Sequence, residues 1–167
     1  MRHNTPEQFA YQLREGHYNE LRVALYFMLQ GAHVRIGYTS QRYDLSVILP
    51  KTPRFSVEVK WDKRAGETGN LYFEIKNTRR DEPSGIAATT ADFWCHVIGE
   101  GNEALLAATS RLRKLLRSKK LRRVETKAED GNSLGLLAPR AWLEAQEGVV
   151  WIALPTVEGF FGELFRK

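Results

Sequence analysis

The chain has little of what secreted, membrane-spanning or zinc-binding proteins depend on. It contains one cysteine in 167 residues, which excludes an internal disulfide framework and predicts an intracellular, cytoplasmic protein. No apolar stretch reaches the roughly 18 residues of a transmembrane span, and segment 1–4 lacks the apolar core of a signal peptide. We therefore expect neither membrane insertion nor export. Cys95 and His96 have no partners at metal-ligand spacing, which favours core positions over a zinc site.

What the chain does have is a short β-rich segment with an acid and a base on one face. In the predicted strand 55–61 (FSVEVKW), Glu58 and Lys60 alternate with apolar residues and point the same way. A second β-rich segment, 43–49, has Asp44 at its start. Two adjacent strands can bring both carboxylates together as hard oxygen ligands, with the ammonium beside them. This combination is typical of metal-dependent phosphodiester hydrolysis.

The order of these residues resembles the PD-(D/E)xK nuclease superfamily. The resemblance covers residues 18–98 and rests on Asp44, a spacer, and the Glu-x-Lys motif formed by Glu58 and Lys60. Tyr43 stands where the family often has proline. The resemblance implies a restriction-endonuclease-like α/β core, with a mixed central β-sheet flanked by helices, and we expect the whole chain to form one such domain.

The resemblance also implies roles for individual residues. Asp44 and Glu58 would hold Mg²⁺ or Mn²⁺, with the backbone carbonyl of Val59 completing the ligand set, and Lys60 would stabilise or orient the attacking water. Glu20, near the start of a predicted helix, matches the further acid that this family often contributes from the preceding helix. The alternative for Glu20 is a first-turn glutamate that complements the helix dipole.

The opening order of helix, strand, strand, strand resembles one branch of the superfamily, the archaeal-type Holliday junction resolvases, including phage-encoded ones. It implies a homodimeric endonuclease that cuts branched DNA. The predicted helix 18–30 ends at Gly31, and a strand over 32–38 follows. The expected dimer surfaces are the apolar stripe of this helix and the aromatic C-terminal tail, which comprise Leu21, Leu25, Met28, Leu29, Phe160, Phe161 and Phe165.

A second Glu-x-Lys pair leaves the assignment of the site open. Glu74 and Lys76 lie on the predicted strand 71–77, which we expect to neighbour strand 55–61. In that position they would either supplement the Asp44 site or replace part of it.

The positive charge of the chain is concentrated in one segment. Eight basic residues and no acid occur between Arg111 and Arg123, and without these eight the net charge of +5 becomes −3. An amphipathic helix with a cationic face is predicted here, and such a face binds the phosphates of DNA. Its apolar stripe is predicted to comprise Leu105, Ala108, Leu112, Leu115 and Leu116. The predicted DNA-binding residues are Arg79, Arg80, Ser84, Arg111, Arg113, Lys114, Arg117, Lys119 and Lys120.

Two other functions fit the same sequence. One is a restriction- or recombination-type nuclease that acts on duplex or single-stranded ends with the same site. The other is a DNA-binding module of this fold without catalysis. The chain has no GxxxxGK[ST] loop, which argues against an ATP-driven enzyme.

Overall fold

The computed structural model describes residues 6–37, 43–128 and 131–162. The helices are α1 (Pro6–Leu29), α2 (Ala65–Thr68), α3 (Thr109–Ser118), α4 (Arg140–Glu144) and α5 (Val157–Gly162). The strands are β1 (His33–Ile36), β2 (Leu45–Ile48), β3 (Phe55–Asp62), β4 (Asn70–Asn77), β5 (Glu82–Pro83), β6 (Phe93–Ile98), β7 (Glu103–Ala108), β8 (Arg122–Ala128), β9 (Gly131–Pro139) and β10 (Val149–Ala153).

A six-stranded mixed sheet forms the centre of the fold, in the order β1-β2-β3-β6-β7-β10. The pair β3 and β6 is parallel, and the other pairs in this sheet are antiparallel. The predicted α/β fold with a mixed central sheet flanked by helices is confirmed, and so is the opening order of one helix and three strands.

The alternation of apolar and polar side chains along β3 determines which kind of side chain this strand presents on each face of the central sheet. Val57 and Val59 are buried against α1, and Phe55 and Trp61 pack around the same cluster. This is the apolar face predicted from the sequence. The other face of β3 therefore carries the polar side chains.

The face that α1 buries differs from the predicted stripe. Val23 and Phe27 contact the sheet in the buried cluster, whereas Met28 and Leu29 are 46% and 60% exposed. Leu25 of the predicted stripe is buried. Segment 21–29 is apolar at nearly every position, so its 3.6-residue period does not single out one face.

A second sheet, in the order β5-β4-β9-β8, packs over the other face of the central sheet. Leu71 and Phe73 of β4 share a buried cluster with Trp94 of β6 and with Leu112 and Leu116 of α3. The expectation that β4 neighbours β3 within one sheet was wrong. The chain leaves the central sheet after β3 and returns to it at β6.

The basic helix is shorter than predicted. Leu105 and Ala108 belong to strand β7, and only Thr109–Ser118 is helical. Lys119 and Lys120 follow the helix, and the last two basic residues begin β8. The boundary was missed because Leu105 and Ala108 also match the spacing of the helical stripe.

The C-terminal segment lies against α1. Arg22 is 3% exposed and donates hydrogen bonds to the carbonyls of Leu154 and Pro155. Tyr18 donates a hydrogen bond to Glu158 at 2.9 Å. Three tail phenylalanines were expected at a dimer surface. Phe165 lies outside the described part of the chain, and so do the side chains of Phe160 and Phe161. No helix in the described ranges is long and apolar enough to cross a membrane.

Candidate active site

The site is built where β2 ends beside β3. Leu45 opposite Val57 is the last pair of the β2–β3 ladder on this side, and the Asp44 backbone N–H still donates to the Val57 carbonyl at 3.1 Å. Two residues further along β3, the Val59 N–H donates to Asp44 Oδ2 at 2.7 Å. A carboxylate thus accepts an N–H that a neighbouring strand would otherwise satisfy. The sequence places an acid just before the first residue of β2, and the fold uses it at the open edge of β3.

Glu58 and Lys60 lie on the polar face of β3, as predicted. Lys60 Nζ lies 2.9 Å from Glu58 Oε1. The other carboxylate oxygen, Oε2, accepts a 3.4 Å hydrogen bond from the Thr89 hydroxyl. The side chain of Glu58 is only 15% exposed, so its orientation is fixed from two sides.

The electrostatics of Asp44 show that the acids are close together. Partial burial, the largest cause, and the charges of Glu58 and Glu20 together raise the pKa of Asp44 to about 6. The Val59 N–H and Lys60 act in the opposite direction and do not fully compensate. Three predicted site acids therefore act on one another, and the region has an excess of negative charge that a cation would relieve.

The pKa of Lys60 is also raised, which favours the charged form of this side chain. Partial desolvation acts to lower its pKa, but Glu58 outweighs that effect, with further contributions from Asp44 and Glu74, and the pKa is raised. Lys60 is therefore cationic at neutral pH and belongs to a cluster of carboxylates.

Glu20 reaches this region from α1. Its carboxylate lies 3.0 Å from His17 Nδ1, one helical turn earlier. The i,i+3 spacing of His17 and Glu20 on one helix could have identified His17 as the partner of Glu20 from the sequence.

The donor set suits Mg²⁺ or Mn²⁺. In the described ranges, no three His, Cys, Asp or Glu side chains converge where they could hold a metal ion. Asp44 and Glu58 offer two carboxylates, and the charge of Glu58 acts on Asp44. Mg²⁺ commonly binds one or two carboxylates and keeps several waters. The charge excess at Asp44 fits such a cation.

The alternative pair is split by the fold. Glu74 borders the same cleft as Lys60, whereas Lys76 forms an ion pair with Asp81. A register shift between Glu74 and Lys76 interrupts the alternation of β4. Of the two, the structure places only Glu74 beside the site.

The turn that carries Thr89 is held against β4. Gly85 begins a single 3-10 turn, Gly85–Ala87, with φ +54°. A β-carbon at this position would lie 2.5 Å from the carbonyl oxygen of Glu74. Only glycine allows this approach, and it brings the segment that contacts Glu58 onto the strand that carries Glu74.

Arg113 fixes the same turn from the other side. Its guanidinium donates to the Ile86 carbonyl at 2.7 Å, to the Thr89 carbonyl at 2.6 Å and to the Ala87 carbonyl at 3.4 Å. The sequence predicted a DNA contact here, but the described structure gives Arg113 a positioning role. A charge pattern cannot reveal this role, because the carbonyls lie more than 20 residues away in the chain.

The remaining predicted DNA-binding residues are distributed over several surfaces. Arg111 donates to the Glu147 carbonyl at 3.0 Å, and Lys119 lies 5.0 Å from the centre of the Trp142 ring. Ser84 precedes the turn, and its hydroxyl is buried without a hydrogen-bond partner in the described part. The exposed members are Arg79, Arg80, Lys114, Arg117, Lys119 and Lys120.

A basic groove of about 580 Å³ lies beside the turn. Its cationic wall comprises Arg113, Arg117, Lys119, Lys120 and Arg123. The rest of the lining is apolar and comprises Ile75, Ile86, Ala87, Leu116, Leu121 and Leu136.

A larger cleft, about 790 Å³ in volume, adjoins the site. It is bordered by Lys60, Tyr72, Glu74, His96 and Arg122, among others. His96 is buried, as predicted. The sequence had not suggested a cleft here, because its residues come from strands of two sheets.

No protein-family model matches the chain, and no curated protein matches it. Among solved structures, the chain is similar to a bacterial homing endonuclease, I-Ssp6803I, with 18% sequence identity and a TM-score of 0.46. The similarity covers 68% of this chain and 78% of that one.

The first prediction follows from the raised pKa of Asp44. In the absence of divalent cations, Asp44→Asn should stabilise the protein above about pH 6. The pKa of this carboxyl is about 6 in the folded protein against an ordinary 3.8, so wild-type stability falls as the pH rises from about 4 through about 6. Asparagine is uncharged and still accepts from Val59. Melting by circular dichroism in EDTA should show that the Tm of the variant exceeds that of the wild type by an amount that grows across this pH range. The difference should reach roughly 2–6 °C.

Glu147→Gln, at an exposed position, is the control. Its Tm difference from the wild type should not change with pH. A Tm difference for Asp44→Asn that stays constant with pH would contradict the electrostatic cause.

The second prediction concerns Arg113. Arg113→Ala removes the donors to three carbonyls and should lower the free energy of unfolding by about 1.5–3 kcal/mol, the usual range for hydrogen bonds to a charged group. The neighbouring exposed residue provides a matched control, Lys114→Ala, which should leave the Tm nearly unchanged. Equal Tm values for the two variants in thermal melts would show that the turn does not depend on Arg113.

Proposed function

We propose that this chain is a metal-dependent endodeoxyribonuclease that hydrolyses phosphodiester bonds. Its preferred substrate would be branched DNA such as a Holliday junction. The observation that carries the proposal is the meeting of Asp44, Glu58 and Lys60 at the open edge of β3. Two carboxylates beside an ammonium that is charged at neutral pH, with a surplus of negative charge, suit a divalent cation and a phosphate together.

Each residue has a task that its surroundings support. Asp44 and Glu58, with the Val59 carbonyl, would hold Mg²⁺ or Mn²⁺. When bound, the cation would polarise the phosphate and lower the pKa of a water. Lys60 stays protonated because its pKa is raised, so it can offset charge that develops on the phosphate. Glu20 adds negative charge at Asp44 and thereby favours cation binding.

The basic residues supply affinity without sequence readout. Lys114, Arg117 and Lys120 are exposed, on or just after the helix whose Arg113 holds the Thr89 turn. Cations at such positions contact phosphates, which carry no base identity. A nuclease that recognises the shape of DNA needs this kind of surface.

The homodimer belongs to the same proposal. A four-way junction presents paired scissile phosphates related by approximate two-fold symmetry, and one isologous interface would place two sites to match them. The resemblance of the opening elements to junction-resolving nucleases supports this arrangement.

The third prediction tests the chemistry. Glu58→Gln should reduce cleavage to background, and Lys60→Ala should slow it by roughly 100- to 1,000-fold, the usual cost of losing one preorganised electrostatic group. DNA binding should be retained in both. The assay is cleavage of a labelled four-way junction, a linear duplex and a single strand, with and without Mg²⁺.

Glu67→Gln, on the exposed α2, is the matched control and should cleave normally. Cleavage by Glu58→Gln at the wild-type rate would reject the site and direct attention to Glu74. Preference for linear or single-stranded ends would keep the chemistry but replace the junction substrate. Tight binding without cleavage of any substrate would indicate an inactive DNA-binding module.

The fourth prediction tests the basic surface. The double variant Lys114→Glu with Arg117→Glu should weaken binding to every DNA shape alike. If two phosphate contacts are lost, the slope of log K against log salt should become shallower by about 2. Fluorescence anisotropy over a salt series measures both effects.

The matched control reverses two exposed arginines at the β1 end of the sheet, Arg35→Glu with Arg54→Glu. It should leave the salt slope unchanged. Equal slopes for the two double variants would show that α3 does not contact DNA.

A further inference from the structure

The cleft beside Lys60 has an aromatic wall that the proposed hydrolysis does not use. Tyr72 lies on β4 and borders the cleft together with Lys60 and Glu74. The cleft volume of about 790 Å³ falls in the range of roughly 300–1,000 Å³ in which proteins enclose small organic molecules. The cleft is therefore of a size for a single planar group.

The Tyr72 ring is fixed in place by contacts on β8 and β9. It lies over Gly135, where a β-carbon would be 2.3 Å from Tyr72 Cζ. The Tyr72 hydroxyl lies 2.9 Å from the Ser133 hydroxyl, which lies 2.6 Å from the Thr126 hydroxyl. One side of the ring is thus held against the strand, and the residue still borders the cleft.

The charges of the cleft differ between its deep and outer parts. In the deep part, the side chains of Asp62 and His96 are 15% and 2% exposed, and the pKa of Asp62 is lowered, because His96 and backbone N–H donors outweigh the effect of burial. The exposed Arg64 and Arg122 lie at the outer part. A phosphate is disfavoured beside the Asp62 carboxylate and favoured beside the two arginines.

His96 offers a donor in the deep part. Trp94 Nε1–H donates to His96 Nδ1 at 3.2 Å, so a neutral ring carries its proton on Nε2. This Nε2 faces Asp62 Oδ2 at 3.6 Å, which is beyond hydrogen-bond distance, and it makes no hydrogen bond in the described part. A buried donor that makes no hydrogen bond commonly marks a place for a ligand or water.

We propose that the cleft binds an unpaired nucleobase of the DNA strand whose phosphate lies at Lys60, with the base stacked on Tyr72. This inference rests on the proposed function for the position of the phosphate. A base is neutral and planar and carries both hydrogen-bond donors and acceptors, so it can stack on the ring, donate toward the Asp62 carboxylate and accept from His96. The substrate would then be DNA with unpaired nucleotides at the cut, such as a junction centre, a gap or a single strand.

The fifth prediction tests this stacking by binding, without cleavage. In EDTA, a single strand containing 2-aminopurine should lose fluorescence on binding to the wild-type protein. Tyr72→Leu should weaken its binding by roughly five- to 150-fold, the usual cost of removing a base–aromatic stack, and should abolish the quenching. Tyr72→Phe keeps the ring and should behave like the wild type. Binding to a fully paired duplex should change little in either variant.

Tyr18→Leu, which removes an exposed tyrosine outside the cleft, is the matched control and should bind the single strand normally. Photocrosslinking of wild-type protein with 5-iodouracil DNA provides a measurement that does not depend on the folding of a variant, and it should label Tyr72. Labelling only outside the cleft, or unchanged single-strand binding by a folded Tyr72→Leu variant, would overturn the inference. Tyr72-dependent stacking in a protein that cleaves no DNA would instead reject the proposed nuclease and leave the base site standing.

Discussion

The hydrogen bond from the Val59 N–H to the Asp44 carboxylate is the interaction on which the site depends. It closes the edge of β3 where β2 has ended, and it draws Asp44 toward Glu58. The ladder thereby gains an acceptor, but the carboxylate is partly buried and lies near other acids, and burial first and then the charge of Glu58 raise the pKa of Asp44. Strand pairing thus imposes an electrostatic strain that folding alone does not relieve.

Two elements from elsewhere in the chain support this edge. The segment between β3 and β6 leaves the central sheet, forms β4 and returns through the turn that carries Thr89. Arg113 then ties this turn to α3 with charged hydrogen bonds. The acid on β3 is therefore oriented by a loop whose position is set by the basic helix. The surface that would contact phosphates and the residues that would act on them are parts of one connected framework.

The features that could be predicted from the sequence are those with local causes. The two-residue alternation of β3 depends only on its own side chains, and it correctly separated the apolar face from the face with Glu58 and Lys60. The order of the opening elements followed from periodicity and from a glycine in the left-handed region at position 31. The mixed sheet followed from the family resemblance.

The features that were missed depend on partners far away in the chain. Strand β4 has the same pattern as a central strand, but it belongs to a second sheet and its apolar residues face the central one, which no local pattern reveals. Arg113 looks like its neighbour Lys114 in the sequence and differs only because three carbonyls lie within its reach. Tyr72 became notable only through Gly135, which lies on the adjacent strand β9 and leaves room for the ring.

Gly85 has a consequence for how this protein can vary. Its α-carbon is pressed against the backbone of β4 with no room for a side chain. The turn that orients Glu58 and the strand that carries Glu74 and Tyr72 therefore behave as one body at this point. Any change in the length of the connection between β3 and β6 would have to preserve that contact, so new loops can be accommodated at the exposed end of β4 and β5 far more readily than between Gly85 and β6.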